Sequence, residues 1–181
     1  MSDAAPIPNR EVLESILREL ARELAAEGLD VEVVMVGGAW LLWHTERSAT
    51  RDVDSVVGLD ASAKVVVERV GRRRGMAPDW LNDRAAGFWP VGVDRDQVEA
   101  VLDEPGLRVC VPPASVVFVM KLYRGHAQDY EDMVSIWPMC EFDGPEAAVD
   151  AFWSGYPHAL DDPHLLELVS RIAAESGEAD P

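Results

Sequence analysis

The apolar residues near the N-terminus form two different patterns. Over residues 9–28 they stand three or four positions apart, with Glu and Arg between them, which predicts an amphipathic helix. Asn9 is suited to cap the start of this helix, and Gly28 stands where its C-terminus is expected. The segment VEVVMV, residues 31–36, is a β-branched run that predicts a strand. Helical and strand patterns therefore follow each other directly in the chain.

The rest of the chain contains further elements of both kinds. Two more strands are predicted, over DVDSVVGL at residues 52–59 and LRVCV at residues 107–111. Residues 76–96, rich in aromatics, Gly and Asp, are expected to form a loop packed on the core, and the tail 177–181 is expected to be disordered. Helices are predicted over residues 39–46, 62–75, 97–102, 114–125, 127–137, 145–153 and 162–176.

This order of elements predicts an α/β fold, a small mixed sheet packed with helices and followed by a helical C-terminal part. The length of 181 residues suits one domain with a helical extension. We therefore expect an α/β core over residues 1–111 and a helical region over residues 112–181 that packs on the core as one unit.

Composition narrows the classes of function. The net charge of -17 argues against a broad nucleic-acid surface, because phosphate binding needs clustered Lys and Arg, although a local basic site stays open. The acidic charge suits a basic protein partner or solubility alone. The N-terminus lacks the features of a signal peptide, and no apolar run approaches the ~20 residues of a membrane span. With Cys110 and Cys140 expected to be buried thiols, the chain is predicted to be soluble and cytoplasmic.

One stretch, VGGAWLLWHTERSATRDVDSVV, carries candidate chemistry. Gly37 and Gly38 follow a strand and precede a helix, so the backbone can turn sharply and approach a phosphate at the helix N-terminus. Asp52 and Asp54 are two positions apart in a predicted strand, so their carboxylates project to the same face. Mg²⁺ is commonly held by one or two carboxylates together with substrate phosphates. The stretch therefore indicates a phosphoryl or nucleotidyl transfer site.

Two blocks resemble the nucleotidyltransferase superfamily with the polymerase-beta-like fold. The glycine pair with DVDS thirteen residues later resembles its signature, and ATRDVDSVV resembles the form in the minimal and abortive-infection (AbiEii-like) toxin branch. The block VFVMKLYRGHAQDYEDMVSIW, residues 117–137, is similar to that branch's Lys-Leu pair, arginine-bearing turn and Asp-x-x-Asp. DWLND, residues 79–83, is similar to a bacterial family of nucleotidyltransferases. The resemblance spans residues 31–137 and depends on the two blocks occurring in order.

The resemblance implies a role for each matching residue. Gly37 and Gly38 would cradle a triphosphate, with Gly38 standing where many relatives have a serine. Asp52 and Asp54 would bind Mg²⁺. Lys121 would neutralise the phosphates of the nucleotide. Asp129, or Asp132 in its place, would orient the site or act as a base.

The superfamily also has a third carboxylate on a later strand. LRVCV contains none, so Asp79 and Asp94 are the candidates. Arg51 and Arg47 flank the site and could contact a phosphate, a nucleic-acid acceptor or local acids.

Structural alternatives stand beside these roles. Asp52 and Asp54 could be a turn and strand-start pair that binds no metal. Lys121 could extend from an apolar helix to solvent. Asp129 and Asp132 could form a solvated or capping face. The basic run GRRRG, residues 71–75, is more typical of a helix C-terminus than of a binding patch.

Two functions are consistent with the sequence. The first is a Mg²⁺-dependent nucleotidyltransferase that moves the nucleotidyl group of a nucleoside triphosphate to a hydroxyl of tRNA or protein. The branch it resembles includes toxins of toxin–antitoxin and phage-defence systems, which implies an antitoxin as a further partner. The second is a non-catalytic nucleotide-binding or protein-interaction module of the same fold, which the missing third carboxylate and the missing serine favour.

Overall fold

The computed structural model describes residues 4–46 and 49–178. Within these ranges the chain forms two compact units. The first comprises the described residues of Met1–Gly87 and Val98–Pro112, and the second comprises those of Phe88–Gln97 and Pro113–Pro181. The helical unit thus includes residues 88–97. None of the helices in the described ranges has the length and apolar character needed to cross a membrane.

Both helices and strands form in the described residues. The helices are α1 Arg10–Ala26, α2 Gly37–His44, α3 Ala61–Arg74, α4 Ala114–Arg124, α5 Asp129–Ile136, α6 Pro145–Gly155 and α7 Leu165–Glu178. The strands are β1 Val31–Val36, β2 Val53–Ser55, β3 Leu81–Asn82, β4 Glu99–Glu104 and β5 Leu107–Val111. Short 3₁₀ segments occur at Arg84–Phe88, Arg95–Gln97 and Trp137–Met139. The predicted α/β class with a helical C-terminal part is confirmed.

The five strands form one mixed sheet in the order β3-β2-β1-β5-β4. β1 runs parallel to β5 and antiparallel to β2, β2 runs parallel to β3, and β4 runs antiparallel to β5. In this register Val36, the last residue of β1, faces Asp54, and Asp54 faces Asn82 on the edge strand. The register therefore determines which polar side chains meet at this end of the sheet.

Helix α1 covers the sheet of the first unit and is joined to α3 by ion pairs. The Asn9 side chain accepts a hydrogen bond from Val12 N at 2.9 Å, which caps α1 as the sequence predicts. Arg73 and Arg74 on α3 both bond to the Glu19 carboxylate on α1. The basic run at residues 71–75 therefore connects two helices, and a free binding patch is not needed to explain it.

Four sequence expectations differ from the structure. The helix predicted over residues 97–102 is wrong, because Glu99–Glu104 is strand β4 and forms a hairpin with β5. The hairpin turns at Gly106, where φ is +89° and an added Cβ would lie 2.5 Å from Ala25 N, so only glycine fits. Cross-strand pairing here outweighs a weak local preference for helix.

The strand predicted over residues 52–59 extends only over Val53–Ser55. It ends because the Ser55 hydroxyl accepts from Val57 N at 3.0 Å and donates to Val57 O at 3.1 Å, which turns the chain. Residues 81–82, expected in a loop, form the edge strand β3. Of the tail 177–181, Gly177 and Glu178 belong to α7 and residues 179–181 lie outside the described ranges.

Helices α4 to α7 pack together in the second unit around aromatic side chains. Tyr123 and Tyr156 stack with ring centroids 3.9 Å apart. The Tyr156 hydroxyl donates to Phe88 O at 2.5 Å, which ties residues 88–97 to this unit. The two thiols are free, with Cys110 buried and Cys140 half-buried, and burial raises the pKa of Cys140 to about 12. An unreactive, protonated thiol is expected at such a position.

Candidate functional site

The pairing of β1 with β2 brings Gly37 against Asp54. Helix α2 begins at Gly37 directly after β1, and its N-cap residue, Val36, makes no side-chain capping bond. Gly37 has φ +65°, and a Cβ added to it would lie 3.0 Å from Asp54 Oδ2. Glycine is needed here both for the left-handed backbone and for the close approach of the carboxylate. The glycine and the aspartate that the sequence motif separates thus share one site in the first unit.

Asp54 is half-buried, and its carboxylate is uncommitted, meaning that no described residue forms a hydrogen bond or an ion pair with it. Its strand neighbours Val53 and Ser55 are fully buried, with 0% exposed surface, so the Asp54 side chain projects to the opposite side. No residue in the described ranges gives this carboxylate a hydrogen bond or an ion pair. Because an unpaired, partly desolvated carboxylate is unfavourable, this position suits a bound cation.

Asp52 lies just before β2 and has a cationic neighbour. Arg84 Nη2 lies 3.5 Å from Asp52 Oδ2 and 3.6 Å from Asp79 Oδ2. The Arg84 side chain is 61% exposed, so these pairs are weak and the guanidinium can exchange partners. No sequence pattern pointed to Arg84, because it follows a two-residue strand that no periodicity reveals.

Asn82 is a second residue of the site that the sequence analysis missed. It faces Asp54 in the parallel pairing of β2 with β3 and is only 6% exposed. Its Oδ1 accepts hydrogen bonds from Arg84 N and Arg84 Nε, both at 3.0 Å. Its Nδ2 is buried and has no hydrogen-bond partner in the described part of the chain. A neutral amide therefore stands beside Asp54.

Three aspartates bear on the predicted third carboxylate. Asp79 lies beside Arg84, as described above. Asp83 is committed elsewhere, because its Oδ2 accepts from Leu59 N at 3.0 Å and pairs with Lys64 Nζ at 2.9 Å. These partners hold the pKa of Asp83 below its ordinary value. Asp94 belongs to the second unit, where its carboxylate accepts from Asp96 N at 3.2 Å.

The donor set fits Mg²⁺ only in part. Asp52 and Asp54 supply hard oxygen ligands, which Mg²⁺ prefers. Within residues 4–46 and 49–178, no three His, Cys, Asp or Glu side chains are grouped so as to hold a metal. A Mg²⁺ ion held by these two carboxylates would therefore need its remaining ligands from substrate phosphates and water, as is usual for this cation.

Lys121 and Asp129 lie in the second unit, in a buried ion-pair cluster. Lys121 Nζ on α4 bonds to Asp129 Oδ1 at 2.9 Å and to Asp132 Oδ2 at 2.7 Å on α5. Arg124 Nε bonds to Asp129 Oδ2 at 2.8 Å, and Arg124 Nη2 also contacts Asp129. The Lys121 and Asp129 side chains are 5% and 0% exposed. The lysine therefore does not extend to solvent, and Asp129 is not on a solvated face.

The charges of this cluster stabilise one another. Burial alone would raise the pKa of Asp129, but hydrogen bonds from Arg124 and Lys121 outweigh it, so the pKa lies below its ordinary value. Asp129 is therefore a carboxylate that stays ionised within the interior of the helical unit.

The remaining predicted residues are placed as follows. Gly38 is the second residue of α2 and is half-buried. Arg51 is exposed and directly precedes Asp52. Arg47 lies outside the described residues. The structure thus brings Gly37, Asp52 and Asp54 together in one unit and Lys121 with Asp129 in the other.

Comparisons of this chain with models of protein families, with curated proteins and with solved structures found no match. The resemblance to nucleotidyltransferases consequently stays a prediction based on the sequence motifs. The function must be argued from the site itself.

Proposed function

We propose that this protein is a Mg²⁺-dependent nucleotidyltransferase that transfers a nucleotidyl group from a nucleoside triphosphate to a hydroxyl acceptor. One observation carries the proposal, the contact of the uncommitted Asp54 carboxylate with Gly37 at the start of α2. A candidate metal ligand and a candidate phosphate-binding turn are adjacent there, which is what such a reaction needs.

Each residue of the first unit has a defined part in the proposal. The backbone N–H groups of Gly37 and Gly38 lie at the N-terminal end of α2, where the helix dipole favours phosphate. Asp52 and Asp54 would hold Mg²⁺, which when bound would neutralise phosphate charge. Arg51, exposed beside Asp52, and Arg84 add positive charge near the two carboxylates. These residues bind and orient a polyphosphate.

Lys121 and Asp129 have a supporting role in the proposal. The resemblance assigns Lys121 to the phosphates and Asp129 to orienting the site. The Lys121 ammonium lies in two ion pairs, with Asp129 and Asp132, within the second unit. This pairing favours the orienting role, in which the cluster holds α4 and α5 in a fixed arrangement.

The acceptor and the biological setting are inferred from the resemblance alone. A tRNA or protein hydroxyl is the acceptor class we propose, in the cytoplasm, with the protein acting as the toxin of a toxin–antitoxin or phage-defence system. The net charge of -17 makes a protein acceptor or a basic antitoxin electrostatically easier to bind than tRNA.

One observation favours a second candidate, a nucleotide-binding or protein-interaction module without catalysis. The strand beside Asp54 carries Asn82 where a carboxylate would complete a three-acid metal site. An amide adds no negative charge, so a second metal ion would be held less strongly. Such a module would bind a triphosphate with Mg²⁺ but would not transfer its nucleotidyl group.

Labelled nucleotides distinguish the two candidates. Each of the four radiolabelled triphosphates would be incubated with the protein, Mg²⁺ and either total tRNA or cell lysate. We expect label to enter RNA or protein with the wild type and to be lost in the double variant Asp52→Ala/Asp54→Ala, because the metal ligands are gone. The matched control is Glu99→Ala/Asp103→Ala, which removes the same charge from exposed positions of strand β4.

Each outcome separates the candidates. Binding of a triphosphate with Mg²⁺, without transfer, would favour the binding module. Full transfer by the double variant would show that Asp52 and Asp54 are not the metal ligands. A wild type that neither binds nor transfers any triphosphate would overturn both candidates that involve nucleotides.

A further inference from the structure

The Asn82 amide lies at the candidate site, and its nitrogen takes no part in the hydrogen bonds described there. Paired residues in adjacent parallel strands place their side chains on the same face of the sheet, so Asn82 lies on the face of Asp54. Val53 and Leu81, the preceding pair, are buried on the other face. The amide therefore points to the same side as the carboxylate that would hold the metal.

The orientation of this amide is fixed by Arg84. Both bonds from Arg84 go to Asn82 Oδ1, which assigns the oxygen to Arg84 and leaves Nδ2 with two N–H donors. Nδ2 is buried and without a partner among the described residues. Buried donors are nearly always paired in native proteins, so an acceptor from outside the chain is expected at Nδ2.

The surroundings of Asn82 indicate which acceptor fits. A groove of about 370 Å³ beside β3 is lined by Asn82, Arg84, Lys64 and Asp79, among others. Arg84 and Lys64 bring positive charge to this groove, and the sheet register sets Asn82 beside Asp54, a candidate metal ligand. A donor near cationic side chains and beside such a carboxylate suits an oxygen that is anionic and also binds metal. Phosphoryl oxygens have both properties.

We infer that Asn82 contacts the ligand directly, its Nδ2 donating a hydrogen bond to a phosphoryl oxygen of a bound nucleoside triphosphate. The inference rests on the proposed function, because it requires a polyphosphate at Asp52 and Asp54. Asn82 acts as a donor and not as a metal ligand, since its oxygen already accepts two bonds from Arg84. It would thereby select ligands with phosphates over nucleosides that lack them.

Calorimetric titrations test this role in the full chain. The titrants are each nucleoside triphosphate with Mg²⁺, the corresponding nucleoside without phosphates, and Mn²⁺ alone. We expect Asn82→Ala to weaken triphosphate binding about tenfold, the loss of one hydrogen bond to a charged group, and to leave Mn²⁺ binding unchanged. Gln97→Ala is the matched control, because it removes a side-chain amide at an exposed position that does not line this groove and should leave both affinities unchanged.

A second variant keeps the test decisive if Asn82→Ala does not fold. Asn82→Asp retains an oxygen for Arg84 and replaces the donor by a carboxylate oxygen, which cannot donate to a phosphoryl oxygen, so triphosphate binding should weaken by about tenfold or more.

The outcomes separate the inference from the proposed function. Unchanged triphosphate affinity in Asn82→Ala or in Asn82→Asp would overturn the inference. Binding of a triphosphate by the wild type would still support the proposed function in that case. If Asn82→Ala weakened binding of the phosphate-free nucleoside as much as binding of the triphosphate, the contact of Asn82 would not be with the phosphates. That result would also overturn the inference. If the wild type binds no triphosphate, the proposed function itself fails.

Discussion

Asp54 and Asp129 are both withdrawn from solvent, but only Asp129 is paired. Asp129 is surrounded by Lys121 and Arg124, which between them occupy both of its oxygens. Asp54 stands beside a glycine, an amide and a second aspartate, and no described residue binds its carboxylate. One carboxylate has its counter-charges built into the fold, and the other requires a cation from solution.

This difference distinguishes two roles of a charged residue, a structural ion pair and a ligand-binding carboxylate, that look alike in a sequence motif. A fully paired cluster such as Lys121 with Asp129 stabilises a particular packing of helices, and its removal leaves a buried charge uncompensated. An uncommitted carboxylate contributes little to folding and keeps its oxygens for a ligand. Residues of the first kind should show their largest effects in stability, and residues of the second kind in binding.

The largest expected effect is the loss of Asp129. In Asp129→Ala the buried Lys121 ammonium loses one of its two partners, so we expect the free energy of unfolding to fall by about 3–5 kcal/mol. Urea denaturation followed by circular dichroism measures the loss. The control is Asp150→Ala at an exposed position of α6, expected to change stability by less than about 0.5 kcal/mol. A loss below about 1 kcal/mol for Asp129→Ala would contradict the structural role of the cluster.

Substitution of Gly37 is expected to reduce stability less than Asp129→Ala does and to reduce ligand binding more. Gly37→Ala and Gly75→Ala both place a side chain at a positive φ, +65° and +68°, and each should cost about 1–2 kcal/mol. Only at Gly37 does the new Cβ meet Asp54, whereas nothing lies within 4 Å at Gly75. We expect Gly37→Ala alone to weaken Mg²⁺-triphosphate binding by about tenfold or more, as calorimetry would show. Equal affinities in the two variants would indicate that the ligand does not approach Asp54.

The smallest expected effect is the dependence of stability on pH. The folded-state pKa of Asp129 lies below its ordinary value of 3.8, so its contribution is present above that value and is lost as the pH falls through the folded pKa. The effect should be smaller than that of Asp129→Ala, because a protonated acid still accepts hydrogen bonds. Urea midpoints between about pH 5 and pH 3 would measure it. Asp129→Asn should reduce the slope, and an unchanged slope would assign the pH dependence to other acids such as Asp83 and Glu19.

Local sequence determined much of the secondary structure. The periodicity and the Asn9 cap predicted α1, and β-branched runs predicted β1 and β5. These features depend on residues within a few positions of one another, which is the range over which helix caps and strand periodicity act. The same short range let the sequence identify Gly37 as a turn residue, whereas Asp52, predicted in one strand with Asp54, lies just before β2.

What the sequence left open depends on contacts between distant segments. Strand β4 forms because it pairs with β5, and strand β3, only two residues long, exists because β2 provides its partner. That pairing sets Asn82 beside Asp54 and Arg84 beside Asp52, and no local pattern marks either residue.

The state of each charge was likewise decided by the tertiary structure. The sequence offered Lys121 as a residue that reaches solvent or phosphate, and packing of α4 with α5 buried it between two carboxylates. Whether a charge is paired or available depends on which helices and strands surround it, and the pairing energy exists only once they have packed. The sequence by itself therefore determined which residues could carry the chemistry, and only the tertiary structure decided that Asp54 is available for a ligand and that Asp129 is not.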